Sequence, residues 1–207
     1  MTPLLNETQT DMLKEFGHIG SAHAATSLSI MIGRDIDICV PDVRVAPLDV
    51  LGSLIEPDEP MAALYFQLLD LDSQNDGHIY LLFPDQSARR IVDVLLSQEI
   101  GSTREISETE RSALMEVGNI LISSFGDASA ELLGMGILPS PPSYRQATAR
   151  RLIEDIPVEI GRSGAPVIIF KTSLSEASLQ MYGYLLLLPE PQTLDKILLL
   201  LGARLNG

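Results

Sequence analysis

The sequence of 207 residues contains no tryptophan, only 5% aromatic residues and a single cysteine. The lone Cys39 cannot form an internal disulfide, which favours a reducing compartment. The longest apolar runs, around 185–188 and 197–201, fall far short of the roughly 18 residues that a membrane-spanning helix needs. The first residues also lack the basic start and the apolar stretch of a signal peptide. We therefore expect a cytoplasmic protein.

Basic residues are also scarce. The chain carries 14 Lys and Arg against 28 Asp and Glu, a formal net charge of −14. Such a charge argues against nucleic acid and anionic membranes as partners, because phosphate groups repel it. The content of 45% hydrophobic and 20% charged residues is typical of a globular chain and not of a disordered one. A chain of this length buries roughly 70% of its unfolded surface and needs no disulfide or metal to fold.

The sequence repeats itself. A shift of 101 positions aligns residues 7–41 with 108–142 without a gap, and nine of the 35 aligned positions are identical. The identical pairs are Glu7 and Glu108, Thr8 and Thr109, Leu13 and Leu114, Glu15 and Glu116, Gly17 and Gly118, Ile19 and Ile120, Gly33 and Gly134, Ile36 and Ile137, and Pro41 and Pro142. The repeat predicts one domain over 1–207, built of two copies of one unit, about 1–103 and 104–207.

Each copy predicts the same helices at its start. An N-cap residue is followed three positions later by Gln or Glu, the pattern of a capping box. These residues are Asn6 with Gln9 in the first copy and Ser107 with Glu110 in the second. Apolar residues at helical spacing follow, and then a second helix rich in Ala and Ser. That second helix is predicted to end at Gly33 or Gly134, where a left-handed backbone is favoured.

Alternating apolar residues then predict strands. The strands are predicted over 36–45, 61–70, 78–83, 165–174 and 181–188, with helices over 86–97, 145–155 and 192–203, a turn at 73–77 and a connecting loop at 157–164. The predicted fold class is mixed α/β with pseudo-two-fold symmetry. In this fold the paired helices that open each copy flank a central β-sheet.

Polar residues recur at the same spacing on the first helix of each copy. The first copy carries Asp11-x3-Glu15-x2-His18 and, after 22 further residues, Pro41; the second carries Ser112-x3-Glu116-x2-Asn119 and, after 22 further residues, Pro142. Side chains three apart on a helix lie on the same face, about 5–6 Å apart at Cβ. The carboxylate of each motif therefore lies beside its His or Asn, opposite the apolar face.

Two explanations of the repeated polar pair stay open at this point. Solvated helix residues that survived a duplication are one, because Glu is a good helix former and polar residues normally face water. A functional pair is the other, since Asn is a mediocre residue inside a helix. Gly118 and its counterpart Gly17 each cost about 1 kcal/mol relative to Ala in a helix interior. They predict close approach by a neighbouring helix or a partner.

The double pattern Asp/Ser-x3-Glu-x2-Asn-x22-Pro resembles the motif of the CheC family of chemotaxis phosphatases and of their relatives CheX and FliY. The resemblance extends over nearly the whole chain. Two motif copies at this length resemble CheC more than CheX, which would carry one motif, or FliY, which would carry an additional flagellar-switch domain. The resemblance implies that the protein hydrolyses the aspartyl phosphate of the response regulator CheY.

The resemblance also implies roles for the second pair. Phosphoryl transfer depends mostly on positioning, and a side-chain amide can orient the attacking water. Asn119 offers a donor and an acceptor without a charge that would repel phosphoryl oxygens. Glu116 would dock the regulator by pairing with one of its lysines. The Mg²⁺ belongs to the partner's receiver domain, so we expect this chain to use no cofactor or metal of its own.

The first copy departs from the family pattern at one position. His18 stands where the family has Asn, while Glu15 matches. An imidazole places its nitrogens differently from a carboxamide, so we expect the first site to be weak or inactive. The charge distribution also favours the second site. Residues 1–103 contain 16 acidic and 5 basic residues, whereas residues 104–207 contain 12 acidic and 9 basic residues. Arg104 and Arg111 flank the start of the second motif helix and suit an acidic partner.

Parts of the sequence also fit other functions. Glu15-x-x-His18 also fits half of a carboxylate-bridged di-metal site, although the second copy offers no matching His. A non-catalytic adaptor that binds CheY or the receptor deamidase CheD is the main alternative. The resemblance suggests the segment 130–135 as the contact with CheD, and a helix end that faces the core is an equally good explanation of its apolar residues. A flagellar switch component is a third. His23, His78 and Cys39 are expected to pack or to lie at the surface, and no phosphate-binding loop is present.

Overall fold

The computed structural model describes residues 5–69, 75–134, 136, 138–156, 166–177 and 179–205. Its elements are α1 (Glu7–Ile32), β1 (Ile36–Ala46), a 3₁₀ helix (Leu48–Ser53), β2 (Pro60–Leu69), β3 (Asn75–Pro84), α2 (Asp85–Leu95), α3 (Glu108–Leu133), β4 (Leu138–Pro139), β5 (Ser143–Thr148), α4 (Ala149–Glu154), β6 (Val167–Glu176), β7 (Leu179–Pro189) and α5 (Pro191–Leu205). The predicted mixed α/β class is confirmed.

The helices α1 and α3 open the two copies and are each 26 residues long. Both begin at the predicted capping boxes; in α1 the Asn6 side chain accepts a hydrogen bond from the Gln9 backbone at 2.8 Å. Both end at the predicted glycines, with φ of 69° at Gly33 and 65° at Gly134. The prediction of two successive helices in each copy was wrong. The small residues are buried within one continuous helix and do not interrupt its backbone hydrogen bonds.

Seven strands of the described residues form one sheet in the order β1-β6-β7-β3-β2-β4, and β5 also pairs with β2. The pairings are antiparallel. The copies exchange their edges, because β1 of the first copy pairs with β6 of the second, and β5 of the second pairs with β2 of the first. At the centre, Tyr80 pairs with Leu186 and Leu81 with Leu185. Since Leu81 corresponds to Leu186 in the repeat, the pseudo-two-fold axis passes between these two pairs.

The two faces of the sheet are covered differently. The face that carries Leu64, Phe66 and Phe170 packs against α1, α2, α3 and α5 and forms the larger hydrophobic core. The opposite face packs against the 3₁₀ helix and α4 through a smaller core that includes Leu51 and Leu152. The paired helices therefore cover one face of the sheet, as predicted.

One segment differs from the sequence prediction, and two others lie wholly or partly outside the described residues. The helix predicted over 145–155 is wrong in its first half, because 143–148 form β5 and the helix α4 begins only at 149. The start of α4 is set by Thr148, whose hydroxyl caps the Arg151 amide. The predicted turn at 73–77 lies partly in β3, with 73–74 outside the described residues. The predicted loop at 157–164 also lies outside them.

Candidate functional site

The motif side chains lie on the outer faces of α1 and α3. Glu116 and Ser112 are exposed and Asn119 is half-buried on α3, while Asp11, Glu15 and His18 are exposed on α1. The inner faces of both helices hold this orientation. Leu13 and Leu114, at equivalent positions, are fully buried. The structure therefore presents each carboxylate beside its Asn or His, one helical turn apart, on a solvent-facing surface.

These polar side chains have no structural task in the described part of the chain. Glu15, His18, Glu116 and Asn119 form no hydrogen bond or ion pair with any described residue. An exposed polar group that bonds only to water contributes little to folding and is free to bind a partner. The arrangement therefore favours a binding role over a structural one.

The glycines beside the pairs have a structural explanation. A Cβ atom on Gly118 would collide with the Leu64 side chain and reach within 3.3 Å of Phe66, both on β2. A Cβ on Gly17 would lie 2.8 Å from the Phe170 ring on β6. The surface that approaches each glycine is the sheet, so the expectation of a neighbouring helix or a partner was wrong. Each motif helix thus rests on a strand of the other copy, which fixes the backbone directly beneath its polar pair.

The proline of each motif lies on an edge strand, where the pairing is irregular. The register of β1 with β6 shifts between Cys39 and Asp42, around Pro41. In the second copy the edge strand is broken between β4 and β5, and Pro142 lies in that gap. Proline has no N–H to donate and is tolerated at edges and bulges. In this fold the prolines shape the edge strands that follow the motif helices.

A polar network adjoins α3 at the sheet edge. The Tyr144 hydroxyl donates to Gln146 at 3.3 Å, the Gln146 amide donates to Asp85 at 3.0 Å, and Arg89 pairs with Asp85 at 2.6 Å. Burial and the Asp85 carboxylate raise the pKa of Tyr144, while the nearby Arg111 opposes that shift. The first copy has Val43 and Val45 in place of Tyr144 and Gln146. Sequence reasoning missed this network because it placed part of the segment in a helix.

The contacts between α1 and α3 lie mostly on the C-terminal side of the motif residues in both helices. The Ser124 hydroxyl donates to Ser27 at 2.9 Å, and His23 lies 3.7 Å from Glu131. The Phe125 ring covers Gly20. The two motif faces are therefore left uncovered by this contact. In the expected CheD segment, Ala130 and Glu131 are exposed, and the side chains of residues 132, 133 and 135 lie outside the described residues.

The di-metal alternative and the residues Cys39 and His78 can be compared with the structure. No group of three or more His, Cys, Asp or Glu among the described residues could hold a metal ion. The Cys39 sulfur lies 2.9 Å from the Ser173 hydroxyl across the β1/β6 pair, and His78 is buried with its Nδ1 2.9 Å from the Tyr65 hydroxyl. No helix in the described ranges is long and apolar enough to cross a membrane.

Comparison with known proteins identifies the repeated unit. The sequence profile of the CheC-like family matches residues 9–45 and 110–144, once in each copy. The CheY-P phosphatase CheC of Bacillus subtilis is 27% identical over an alignment of 206 positions, which covers 97% of each chain. The CheC1 protein of Halobacterium salinarum is 26% identical over 148 residues, 72% of this chain and 74% of that one.

Solved structures show the same fold. FliY of Thermotoga maritima superposes with a TM-score of 0.79 at 22% identity and covers 97% of this chain and 99% of its own. The FliM middle domain of H. pylori superposes with a TM-score of 0.66 at 12% identity, over 94% of this chain and 98% of its own. Both motif helices therefore match the CheC-like family, and the chain has the fold seen in FliY and in the FliM middle domain.

Proposed function

We propose that this protein is a phosphatase that removes the aspartyl phosphate from a CheY-like response regulator, and that the site on α3 performs most of the hydrolysis. The observation that carries the proposal is the pair of exposed Glu116 and half-buried Asn119 on the outer face of α3, whose side chains have no partners among the described residues. The similarity to the CheY-P phosphatase CheC of Bacillus subtilis supports the substrate class.

Asn119 is proposed to orient the attacking water. The receiver domain of the regulator already supplies a divalent cation for the phosphoryl oxygens, so the missing element is a water aligned opposite the leaving carboxylate. A carboxamide both donates and accepts, and it brings no negative charge near the phosphoryl group. The half-buried position of Asn119 limits its rotamers, which favours a fixed water position.

Glu116 is proposed to dock the regulator. Its carboxylate lies one turn from Asn119 and is fully available for an ion pair with a regulator lysine. Its charge opposes direct contact with phosphate. Arg104 and Arg111 are exposed near the start of the same helix and would attract an acidic receiver surface.

The first site is proposed to be weaker. Glu15 and His18 are exposed like their counterparts, so access does not distinguish the two sites. The distinction lies in the side chain, because an imidazole cannot place a donor and an acceptor as a carboxamide does. The surrounding charge adds to it, since the first copy holds 16 acidic and 5 basic residues over 1–103.

The test is the decay of a phosphorylated CheY-like regulator with and without the protein. Asn119→Ala should lower the added hydrolysis rate by about tenfold or more, because positioning of the water is lost. His18→Ala should change it by less than about twofold. Asp127→Ala, an exposed carboxylate on the same helix, is the control and should leave the rate unchanged.

The outcomes separate the alternatives. Full activity of Asn119→Ala together with loss in His18→Ala would mean that the sites are assigned in reverse. A wild-type protein that binds the phosphorylated regulator without accelerating its decay would be an adaptor and would end the proposal. His18→Asn gives the first copy the same Glu and Asn pair as the second, so this variant should hydrolyse the phosphorylated regulator faster than wild type.

Docking is tested separately by affinity. Glu116→Lys should weaken binding of the phosphorylated regulator, because it replaces an attractive charge with a repulsive one. Asp127→Lys makes the same charge change about three turns further along α3 and should weaken binding much less. An unchanged affinity in Glu116→Lys would remove the docking role from this residue while leaving the role of Asn119 intact.

A further inference from the structure

One side of α3 faces the edge strand β5. Gly118 rests on Leu64 of β2, and Leu64 pairs with Tyr144 of β5 on the same face of the sheet. Because neighbouring strands lie about 4.8 Å apart, Tyr144 lies beside the helical turn that carries Asn119. Arg111 lies on this same side of α3, seven residues before Gly118, and is exposed. The second motif pair is therefore flanked by an arginine and a tyrosine.

Both flanking side chains have hydrogen-bonding capacity that the fold does not use. The Arg111 side chain forms no ion pair or hydrogen bond with a described residue. The Tyr144 hydroxyl donates to the Gln146 side chain at 3.3 Å, which is longer than the roughly 2.5–3.0 Å of most O–H···O bonds. The hydroxyl can therefore exchange this partner for a carboxylate at little cost. The Arg111 charge opposes the rise that burial causes in the pKa of Tyr144, so the two groups lie close together.

The first copy offers neither group. Val43 of β1 pairs with Phe170, the residue that lies against Gly17, so it occupies the position that the tyrosine has in the second copy. Val43 is buried, and Thr10 stands in place of the arginine. The two motif helices therefore differ in their flanks as well as in the His or Asn of the motif.

The regulator must contact more than the motif pair. A specific interface buries about 800 Å² on each partner, which corresponds to a disc with a radius of roughly 16 Å. Arg111 lies only about 7.5 Å from Glu116 along the helix axis, and Tyr144 lies one strand away from the residue that supports the motif helix. A regulator docked over Glu116 and Asn119 therefore covers the arginine and the tyrosine as well.

We propose that Arg111 and Tyr144 bind a carboxylate on the surface of the docked regulator and direct the regulator to the site on α3. The inference rests on the proposed function and adds a second contact, of opposite charge, to the one that Glu116 makes. Arginine and tyrosine are among the residues that most often anchor interfaces, and a guanidinium with a neighbouring hydroxyl binds a carboxylate through charge-assisted hydrogen bonds. A regulator turned end for end would bring like charges together, so the two contacts also fix its orientation on α3.

The experiment measures initial hydrolysis rates over a range of concentrations of a phosphorylated CheY-like regulator that the wild-type protein dephosphorylates. Arg111→Gln and Tyr144→Phe should each raise KM about fivefold or more, because a charge-assisted hydrogen bond is lost. The kcat should stay within about twofold of wild type, because Asn119 is intact. Arg145→Gln is the matched control. It removes the same charge from the opposite face of β5, where Arg145 pairs with Asp155, so KM should change by less than about twofold.

A further variant, Gln146→Ala, separates direct contact from a structural role of the tyrosine. It breaks the Tyr144 hydrogen bond within the protein but leaves the hydroxyl in place. Its KM should stay within about twofold of wild type, whereas a tyrosine that acts only through the network would give the same loss as in Tyr144→Phe. In the double variant Arg111→Gln/Tyr144→Phe, KM should rise by less than the product of the single effects, because both groups bind one carboxylate.

The outcomes distinguish this inference from the proposed function. Wild-type KM in Arg111→Gln or in Tyr144→Phe, with Asn119→Ala still slow, would overturn the inference and leave the function in place. An equal rise of KM in Arg111→Gln and Arg145→Gln would also overturn it, since long-range attraction would then explain the effect. If the wild-type protein accelerates the decay of no phosphorylated regulator, the proposed function and this inference both fail.

Discussion

The strongest stability prediction concerns Asp93, a fully buried carboxylate at the end of α2. Its Oδ1 accepts hydrogen bonds from the Thr103 amide at 3.0 Å, the Thr103 hydroxyl at 2.6 Å and the Ser102 hydroxyl at 3.2 Å. Its Oδ2 accepts from the Gly101 amide at 2.6 Å. The side chain thereby holds the connection between the two copies against α2, immediately before the N-cap of α3.

Asp93→Asn should destabilise the protein by about 3 kcal/mol. If the amide oxygen takes the place of Oδ1, the three hydrogen bonds from Thr103 and Ser102 remain, but they are weaker because the acceptor no longer carries a charge. The amide nitrogen then faces the Gly101 N–H, so that a buried donor loses its acceptor, at a cost of about 1–3 kcal/mol. The total is a large share of the roughly 5–15 kcal/mol by which domains are stable. Urea unfolding followed by circular dichroism measures it, with Asp127→Asn as the exposed control.

The pH dependence gives an independent check. Burial tends to raise the pKa of Asp93, but the hydrogen bonds from Thr103, Gly101 and Ser102 outweigh it and hold the pKa below its ordinary value. A lowered folded-state pKa adds stability above the unfolded pKa of about 3.9, and this stability is lost as pH falls through the folded value. The difference between wild type and Asp93→Asn should therefore shrink in acid. Equal stability of the two proteins at pH 7 would refute the reasoning.

Two further predictions concern packing and pH. Gly118→Val should lower the free energy of unfolding by about 2 kcal/mol or more and reduce the proposed phosphatase activity, because its Cβ collides with Leu64 beside the motif. Thermal unfolding measures the loss of stability. The control is Gly52→Val, which should be nearly neutral because a Cβ there meets nothing within 4 Å. Burial lowers the pKa of His78, partly offset by Glu190, so the protein should lose stability as pH falls below about 6.5 toward the folded value. In His78→Phe that loss should disappear from urea unfolding profiles, and an unaltered profile would contradict the assignment.

Local rules account for the parts of the fold that the sequence predicts well. The capping boxes at Asn6 and Ser107 and the left-handed glycines at 33 and 134 are confirmed because these signals depend on neighbours within one turn. The placement of Glu116 and Asn119 on the outer face of α3 follows from helical periodicity for the same reason. The strands over 61–70 and 181–188 were predicted to within a few residues.

Errors arose where distant residues decide the local structure. The segment 145–155 has a helix-like composition, yet its first half pairs with β2, because a strand there completes the edge of the sheet. Gly17 and Gly118 were predicted to mark close approach by a neighbouring helix or a partner. Only the folded chain shows that the neighbours are side chains of the sheet, Phe170 at Gly17 and Leu64 at Gly118.

The sequence by itself determined the repeated unit, the helix ends and the polar pair that each motif helix presents, since these depend on spacing and local hydrogen bonding. The tertiary structure alone decided that the copies exchange edge strands and that each motif helix rests on the other copy's strand. These features depend on which apolar surfaces pack together across more than 100 residues of sequence, and no local pattern encodes that choice.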